Sequence, residues 1–372
     1  MAWSAADHAH MARALRLARR GLYTTRPNPR VGCVIVRDGT VVGEGWHQRA
    51  GGPHAEVHAL RAAGERARGA TVYVTLEPCA HHGRTPPCAD ALVAAGVARV
   101  VAAMEDPNPQ VAGRGLARLR AAGIAAESGL LADEARALNR GFVQRMTRGR
   151  PWVRVKLAAS LDGRTAMASG ESQWITGPAA RRDVQRWRAR SDAILTGRGT
   201  VQHDDPSLNL RLAPEALGLD EAPPPPLRVV LDSALRTPPT ARLFGLPGPV
   251  LLVHDARHAP PPALAALAAV DFLPVPRGAA GLDLAAVLRG LAEREINEVQ
   301  VEAGATLAGA LLTAGLLDEL VLYLAPHLMG DGGRGLFHLP DLTTMAGRIP
   351  LRIGDITAVG DDWRIIATPE PV

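Results

Sequence analysis

Apolar and polar positions along the first half of the chain alternate between two periods. Met11, Ala14, Leu15 and Ala18 recur at helical spacing, so residues 5–20 read as an amphipathic helix that Gly21 ends. VGCVIVRDGTVVGEG (31–45) is two β-rich runs around Asp38-Gly39, a hairpin signal. HAEVHALRAAG (54–64) reads as a helix, TVYVTL (71–76) as a strand, CADALVAAG (88–96) as a helix and VARVVAA (97–103) as a strand. Short apolar strands that alternate with helices predict an α/β sheet with helices on its faces. A helical stretch at about 133–141 leads into the Arg-rich RMTRGRP (145–151), whose charge, Gly and Pro mark a boundary near residue 147.

A second α/β pattern starts beyond that boundary. VRVKLAAS (153–160) is a strand and PAARRDVQRWRAR (178–190) a helix. DAILTG (192–197), LRVVLD (227–232), PVLLVH (249–254) and EVQVEAG (298–304) read as buried strands. EAPPPP (221–226) is a surface linker, because Pro cannot sit in a central strand. The chain of 372 residues therefore divides into two domains, 1–147 and 148–372.

Composition narrows the class. With 47% hydrophobic and 21% charged residues the chain can bury sizeable cores. No run approaches the ~18 apolar residues of a membrane span, and His and Arg interrupt the first residues where a secretory segment would be apolar. Three cysteines are too few for a disulfide scaffold and fit a reducing compartment, so a cytoplasmic protein with no membrane partner is expected. The net charge of +5 would suit nucleic acid or a phosphorylated substrate. No block of five or six like charges occurs, and six Trp, three Tyr and four Phe offer no evident base-stacking platform, so nucleic acid is not the expected partner. One count stands out: Lys156 is the sole lysine among 42 basic residues. A cation kept as ammonium where all others are guanidinium suits a task that needs a compact, titratable charge.

The first candidate chemistry is H-A-E at 54–56 with P-C-A-H-H-G-R-T-P-P-C at 78–88. A catalytic zinc site uses three protein ligands and an open position for water, here His54, Cys79 and Cys88. Zinc lowers the pKa of that water to ~7, and Glu56, not itself a ligand, would carry the proton. His54 and Glu56 open one predicted helix and Cys88 opens another, where helix N-termini favour thiolate. H-x-E with P-C-x-x-C is the zinc nucleobase-deaminase signature, but here eight residues separate the cysteines. That wider loop admits His81 or His82 as rival ligands, and a four-ligand closed site would make the domain a zinc-stabilised binding module instead. Cys33, inside an apolar run, reads as a buried hydrophobe, and His58 as structural or supporting.

The stretches RPNPRVGCVIV (26–36), HAEVHAL (54–60), EPCAHHGRTPPC (77–88) and EDPNPQVAGRG (105–115) resemble the deaminase half of the bifunctional riboflavin-biosynthesis deaminase/reductase family, longer cysteine loop included. The resemblance implies a cytidine-deaminase-like three-layer domain, zinc on His54, Cys79 and Cys88, Glu56 as proton shuttle, and Asn28 of the P-N-P turn against the pyrimidine.

The second half lacks G-x-G-x-x-G after a strand. VEAGATLAGALLTAG (301–315) is a strand, a small-residue turn and a helix, a plausible phosphate cradle because free N–H groups point there. KLAASLDGRTA (156–166), the long stretch 171–211, RVVLDS (228–233), VEAGATLAGALL (301–312) and LAPHLMGDGG (324–333) resemble the reductase half of the same family. That half is dihydrofolate-reductase-like and uses NADPH. The resemblance sets Ala158, Trp174, Thr200, Asp204, Ser233 and the turn Gly304, Ala305, Thr306, Leu307, Ala308, Gly309 and Ala310 against the cofactor. Ser172, Arg188, Leu208, Arg211 and Glu302 would hold the substrate. Arg188 and Arg211 suit a ribose phosphate, which guanidinium pairs in bidentate fashion. The family's E-G-G turn reads E-A-G here, so Ala303 narrows the approach to the pyrophosphate. Lys156, beside the cofactor strand, would bind or protonate the ribose oxygen.

The expected enzyme has two sites on one chain. The first deaminates 2,5-diamino-6-ribosylamino-4(3H)-pyrimidinone 5′-phosphate, and the second reduces the ribosyl group with NADPH to give the ribitylamino uracil phosphate. A small-molecule substrate and a homo-oligomer are expected. The rival is a nucleic-acid-editing zinc deaminase with an accessory domain, which needs a basic groove with stacking aromatics.

Overall fold

The first helix, α1 (Ala5–Arg19), starts where Ser4 and Asp7 close a reciprocal capping box. Ser4 Oγ accepts from the Asp7 N–H at 3.0 Å, and the Asp7 carboxylate accepts from the Ser4 N–H at 2.9 Å. Met11, Ala14, Leu15 and Ala18 form its buried face. The structure, a computed structural model, describes residues 3–80, 87–109, 111–278 and 281–370. The chain splits into two units, Met1–Gly149 and Arg150–Val372.

In the first unit β1 (Gly32–Arg37) and β2 (Thr40–Trp46) form the hairpin that Asp38-Gly39 signalled, both turn residues having positive φ. α2 (Ala55–Ala63), β3 (Thr71–Val74), α3 (Cys88–Ala95), β4 (Arg99–Ala102), α4 (Arg114–Ala121) and β5 (Ala125–Ser128) follow, then α5 (Ala132–Leu138) and α6 (Arg140–Arg148). The sheet runs β2-β1-β3-β4-β5, antiparallel at β2-β1-β3 and parallel beyond. A Cβ on Gly32 would collide with the α1 backbone, and one on Gly43 or Gly45 with that of α2. Gly45 pairs with Cys33, the neighbour of Gly32, so the two helices lie on opposite faces and the unit has three layers. The helix expected at 133–141 is two helices, and the second takes in Arg145–Arg148 of the charged boundary stretch because Phe142 and Gln144 anchor it.

The second unit opens with β6 (Trp152–Ser160), β7 (Arg164–Ala166), α7 (Pro178–Arg190), β8 (Ala193–Gly197) and α8 (Arg198–Asp204). β9 (Leu227–Leu231), β10 (Val250–Asp255), α9 (Pro262–Ala265), β11 (Val270–Val275), β12 (Arg277–Gly278) and β13 (Gly281–Leu282) follow. α10 (Leu284–Glu293), β14 (Glu298–Val301), α11 (Ala305–Thr313), β15 (Glu319–Ala325), β16 (Arg334–Gly335), β17 (Leu351–Val359) and β18 (Asp362–Pro369) complete it. Nine strands order as β11-β10-β9-β8-β14-β6-β15-β18-β17, parallel from β11 to β15 with an antiparallel hairpin at the far edge. One face is apolar: Val153, Val155, Leu157, Val299 and Val301 pack with Val287, Leu291, Ala308 and Leu311 of α10 and α11.

The opposite face, under α7, is polar along a line. Arg154, fully buried, donates to Glu319 at 2.5 Å and Glu298 at 3.0 Å, and its guanidinium lies 4.6 Å from the Trp187 ring centre. Buried charges of this kind persist only when paired, and here both carboxylates pair with Arg154 while its guanidinium faces the Trp187 ring of α7. No helix among the described residues is long and apolar enough to cross a membrane.

Candidate active sites

Gly43 and Gly45 let α2 settle against the sheet, which brings its N-terminus to the carboxyl end of β3. His54 is the N-cap of α2, Cys88 is the first residue of α3, and Cys79 lies in the loop after β3. His54 Nδ1 is 3.2 Å from Cys88 Sγ and 3.7 Å from Cys79 Sγ, and the three donor atoms lie within 4.8 Å of one another. Zinc bonds of 2.0–2.3 Å in a tetrahedron set such donor atoms about 3.5 Å apart, so the group fits the ion as it stands. The Cys88 N–H also points at Cys79 Sγ, 3.3 Å away. The Cys88 thiol, His54 and that contact together pull the Cys79 thiol down against burial, while donation to Cys79 and burial push Cys88 up. His81 and His82 lie outside the described residues.

Glu56 sits in the first turn of α2, 3% exposed, and burial raises its carboxyl to about 7 against the opposing pull of His54. His47 was not singled out by the sequence, yet it is 2% exposed and meets the His54 ring edge-on, centroids 5.5 Å apart. Its Nδ1 is 3.0 Å from the Pro53 carbonyl, which can only accept, so Nδ1 carries the proton. Nε2 then accepts from Asn28 Nδ2 at 3.1 Å, and Asn28 turns its Oδ1 away from His47, free for a ligand N–H. Cys33 is fully buried in the core, and His58 lies on α2, half-buried, with Nε2 unpartnered.

A second unforeseen residue holds the loop that carries Cys79. The Glu77 carboxylate is buried and accepts four backbone N–H bonds: Gly115 at 2.8 Å and Leu116 at 3.1 Å on one oxygen, Gly113 at 2.9 Å and Asp106 at 3.1 Å on the other. Gly113 is the N-cap of α4 and has no side chain to cap it, so Glu77 supplies that cap from 36 residues upstream. A Cβ on Gly115 would overlap the Pro78 carbonyl, so only glycine admits this approach.

In the second unit most of the sequence-derived residues gather at the carboxyl ends of the parallel strands, where open α/β sheets bind ligands. Ala158 is on β6, Thr200 and Asp204 are on α8 just after β8, Ser233 lies two residues past β9, and Glu302 follows β14. Gly304 caps α11 with no side-chain acceptor and open space at its Cα, and Ala305, Thr306, Leu307, Ala308, Gly309 and Ala310 form the first turns. A pyrophosphate could use those free N–H groups. Gly309 is there for packing: its Cα lies against the His338 backbone. Ser172 and Trp174 lie on the stretch before α7, and Trp174 is 69% exposed with the Arg181 guanidinium 4.6 Å from its ring centre.

Glu302 is the hub. Arg188 forks onto it with two bonds of 2.7 Å, Gln300 donates at 2.6 Å, and Lys156 lies close enough to act on its charge. Burial would raise the Glu302 carboxyl, but Arg188, Lys156 and Gln300 outweigh it and hold it at about 2. Burial lowers the Lys156 ammonium, aided by Arg188 and opposed by Glu302. Arg188 also donates to the Asn209 carbonyl at 2.8 Å, so the residue read as a phosphate ligand spends much of its fork inside the protein. Arg211 is exposed, its N–H anchored on Gln185 at 2.9 Å, beside a cavity of about 270 Å³ lined also by Arg181 and Arg182. Leu208 is buried with φ of 46°. The alternation Glu298, Gln300, Glu302 was visible in the sequence as polar residues two apart in a strand, and it marks this face.

The two units thus define a zinc-deaminase-type domain joined to a parallel α/β domain with a nucleotide-type crevice. Residues 4–104 match the cytidine and deoxycytidylate deaminase zinc-binding region, and residues 151–365 match the RibD C-terminal domain. The chain is 56% identical to riboflavin biosynthesis protein RibD of Escherichia coli over 96% of its own length and 97% of the relative's. For RibD of Haemophilus influenzae the identity is 51%, with 100% and 99% covered. The solved structure of Acinetobacter baumannii RibD superposes with a TM-score of 0.92 at 48% identity, covering 98% of this chain and 99% of that one. That of the Thermotoga maritima diaminohydroxyphosphoribosylaminopyrimidine deaminase/5-amino-6-(5-phosphoribosylamino)uracil reductase gives 0.84 at 32% identity, with 98% and 99% covered. The chain belongs to the RibD family of riboflavin biosynthesis proteins.

Proposed function

We propose that the chain performs two consecutive steps of riboflavin biosynthesis, the first in Met1–Gly149 and the second in Arg150–Val372. In the first, 2,5-diamino-6-ribosylamino-4(3H)-pyrimidinone 5′-phosphate gains oxygen from water at the carbon bearing the 2-amino group and releases ammonia. Zinc on His54, Cys79 and Cys88 supplies an activated water when bound. Glu56, buried in the first turn of the same helix, takes the proton and passes it to the departing amine. Asn28, turned by His47, offers its Oδ1 to a ring N–H. The observation that carries this reading is the convergence of His54, Cys79 and Cys88 to ligand spacing with Glu56 beside them.

In the second step the ribose ring opens at C1′, the hydride goes to C1′, and the ring oxygen takes a proton. NADPH supplies the hydride when bound. The first turns of α11, Gly304–Ala310, with Ala158, Trp174, Thr200, Asp204 and Ser233, hold the cofactor. Lys156 binds or protonates the ribose oxygen while Glu302, fixed by Arg188, and Ser172 and Leu208 hold the sugar. Arg211 takes the phosphate from the arginine-lined cavity. The enzyme works in the cytoplasm as an assembly of like chains.

The test follows ammonia release and then NADPH absorbance with the purified protein and the diaminopyrimidine phosphate. Ammonia followed by NADPH loss is expected. Glu56→Gln should cut ammonia release by about 10³-fold and keep its zinc, while Lys156→Met should release ammonia normally and oxidise NADPH about 10²-fold more slowly. No ammonia from zinc-replete protein overturns the first assignment, and full reductase activity in Lys156→Met overturns that of Lys156.

A further inference from the structure

Gln300 is an uncharged amide buried among charges, with 0% of its surface exposed. It shares one face of β14 and its continuation with Glu298 and Glu302, and the register with β6 sets it level with Arg154. Lys156, two residues further along β6, comes level with Glu302. Gln300 Nε2 donates to Glu302 Oε1 at 2.6 Å. An ionised carboxylate can only accept, so the NH2 end of the amide faces Glu302 and its oxygen faces away. That oxygen has no partner among the described residues, and neither has Arg154 Nη1, a donor equally buried on the neighbouring strand. A buried amide with one end unpaired costs stability that an apolar residue would not, a departure that marks functional positions.

What the amide controls is Glu302. Each carboxylate oxygen offers two lone-pair positions. Oε1 receives both Gln300 Nε2 at 2.6 Å and Arg188 Nε at 2.7 Å, so it is filled from within the protein. Oε2 receives Arg188 Nη2 alone among the described residues, at 2.7 Å, and keeps one position open. Thr196 Oγ1 donates to the Glu302 carbonyl at 2.7 Å, which fixes the backbone beneath the side chain. The charges that act on this carboxylate are Arg188 from α7, Lys156 from β6 and Arg211 from the stretch after α8. β15 adds no charge there, because apolar Val321 is its residue level with Lys156.

We propose that Gln300 is a positioning residue for the reduction: it closes Glu302 Oε1 and so leaves Oε2 as the one oxygen that receives a sugar hydroxyl. The role rests on the assignment, made above, of Glu302 to the sugar and of Lys156 to its ring oxygen. Without Gln300 a position on Oε1 falls vacant. That vacant acceptor, buried and ionised, competes for the same hydroxyl and holds the sugar where Lys156 cannot serve it.

Steady-state kinetics on the deaminated pyrimidine and one resonance test this. Unproductive binding lowers kcat and KM together, whereas damage to the fold lowers kcat/KM. Gln300→Leu should therefore reduce both constants for NADPH oxidation by about the same factor, about fivefold, with kcat/KM held. Gln300→Glu sets a second carboxylate against Glu302 and beside the spare donor of Arg154. Protein grown on lysine labelled with 13C at Cε shows one lysine resonance, that of Lys156. In Gln300→Glu without cofactor this resonance should titrate about one pH unit higher than in the parent, because the added negative charge favours the ammonium. Circular dichroism and unchanged ammonia release confirm that both variants are folded. An unchanged kcat in Gln300→Leu, a lowered kcat with KM unchanged or raised, or an unmoved lysine titration overturns the proposal. A parent that releases ammonia but oxidises no NADPH overturns it too, by removing the reductase assignment, and is distinguishable from a Gln300→Leu variant that matches an active parent.

Discussion

Replacing Glu77 by Gln exchanges one carboxylate oxygen for an NH2 group and removes a negative charge from the point where β3 hands the chain to Cys79. Each carboxylate oxygen accepts two backbone N–H groups in the folded protein. An amide keeps one acceptor oxygen, so one pair of N–H donors meets an NH2 group that can only donate. Either orientation loses two bonds to a charged acceptor and leaves two buried donors unpaired, and two such losses at about 1.5–3 kcal/mol each predict a cost of about 3–6 kcal/mol. For a unit of this size each kcal/mol lowers the unfolding temperature by about 2–4 °C, so a fall of about 6–24 °C is expected. Scanning calorimetry of the full-length protein reads this as a shift of one transition, that of the first unit, with the second unmoved. Because Cys79 lies two residues beyond Glu77, the variant should also lose zinc faster on dialysis against a chelator. A cost below about 1 kcal/mol would refute the reasoning, since the four N–H groups would then have other partners.

Two further outcomes follow from the geometry. Glu302 has its carboxyl depressed to about 2 from the ordinary 4.5, so its stabilisation is complete above about pH 4.5 and is lost as pH falls toward 2. The shift corresponds to about 3 kcal/mol, and Glu302→Gln, less stable at neutral pH because Arg188 loses its partner, should show a flatter fall in the second unit's stability on acidification. Chelating zinc from the parent should lower the unfolding temperature of the first unit alone, which calorimetry resolves, because a metal held by His54, Cys79 and Cys88, as proposed, would bind only their folded arrangement.

Elements with one clear apolar face were legible in the sequence. The α7 pattern predicted residues 178–190 and the helix spans Pro178–Arg190, because Ala180, Val184 and Ala189 keep a helical period against the sheet. The metal cluster was legible because its residues announce themselves by type. What escaped depends on distant partners. Glu77 reads as an ordinary acidic residue until α4 folds 36 residues on and offers its N–H groups. His47 acts through Asn28 and Pro53, contacts no local pattern encodes. β14 was read as a buried strand, which is correct for Val299 and Val301, yet Glu298 and Gln300 are as deeply buried and face charges rather than apolar groups. α4 and β5 were not read, since Arg114–Ala121 interleaves arginines with only Gly115, Leu116 and Leu119 buried.

Lys156 is the chain's sole lysine, set among arginines on the polar face of β6. Apart from the backbone amino terminus, it is then the one primary amine a reagent can find. Its lowered pKa leaves more of it as the nucleophilic free base at neutral pH than a surface lysine would offer. Acylation, carbamylation or Schiff-base trapping of this protein therefore reports on a single interior position, and a phosphate-bearing aldehyde would be a site-directed label needing no engineered residue.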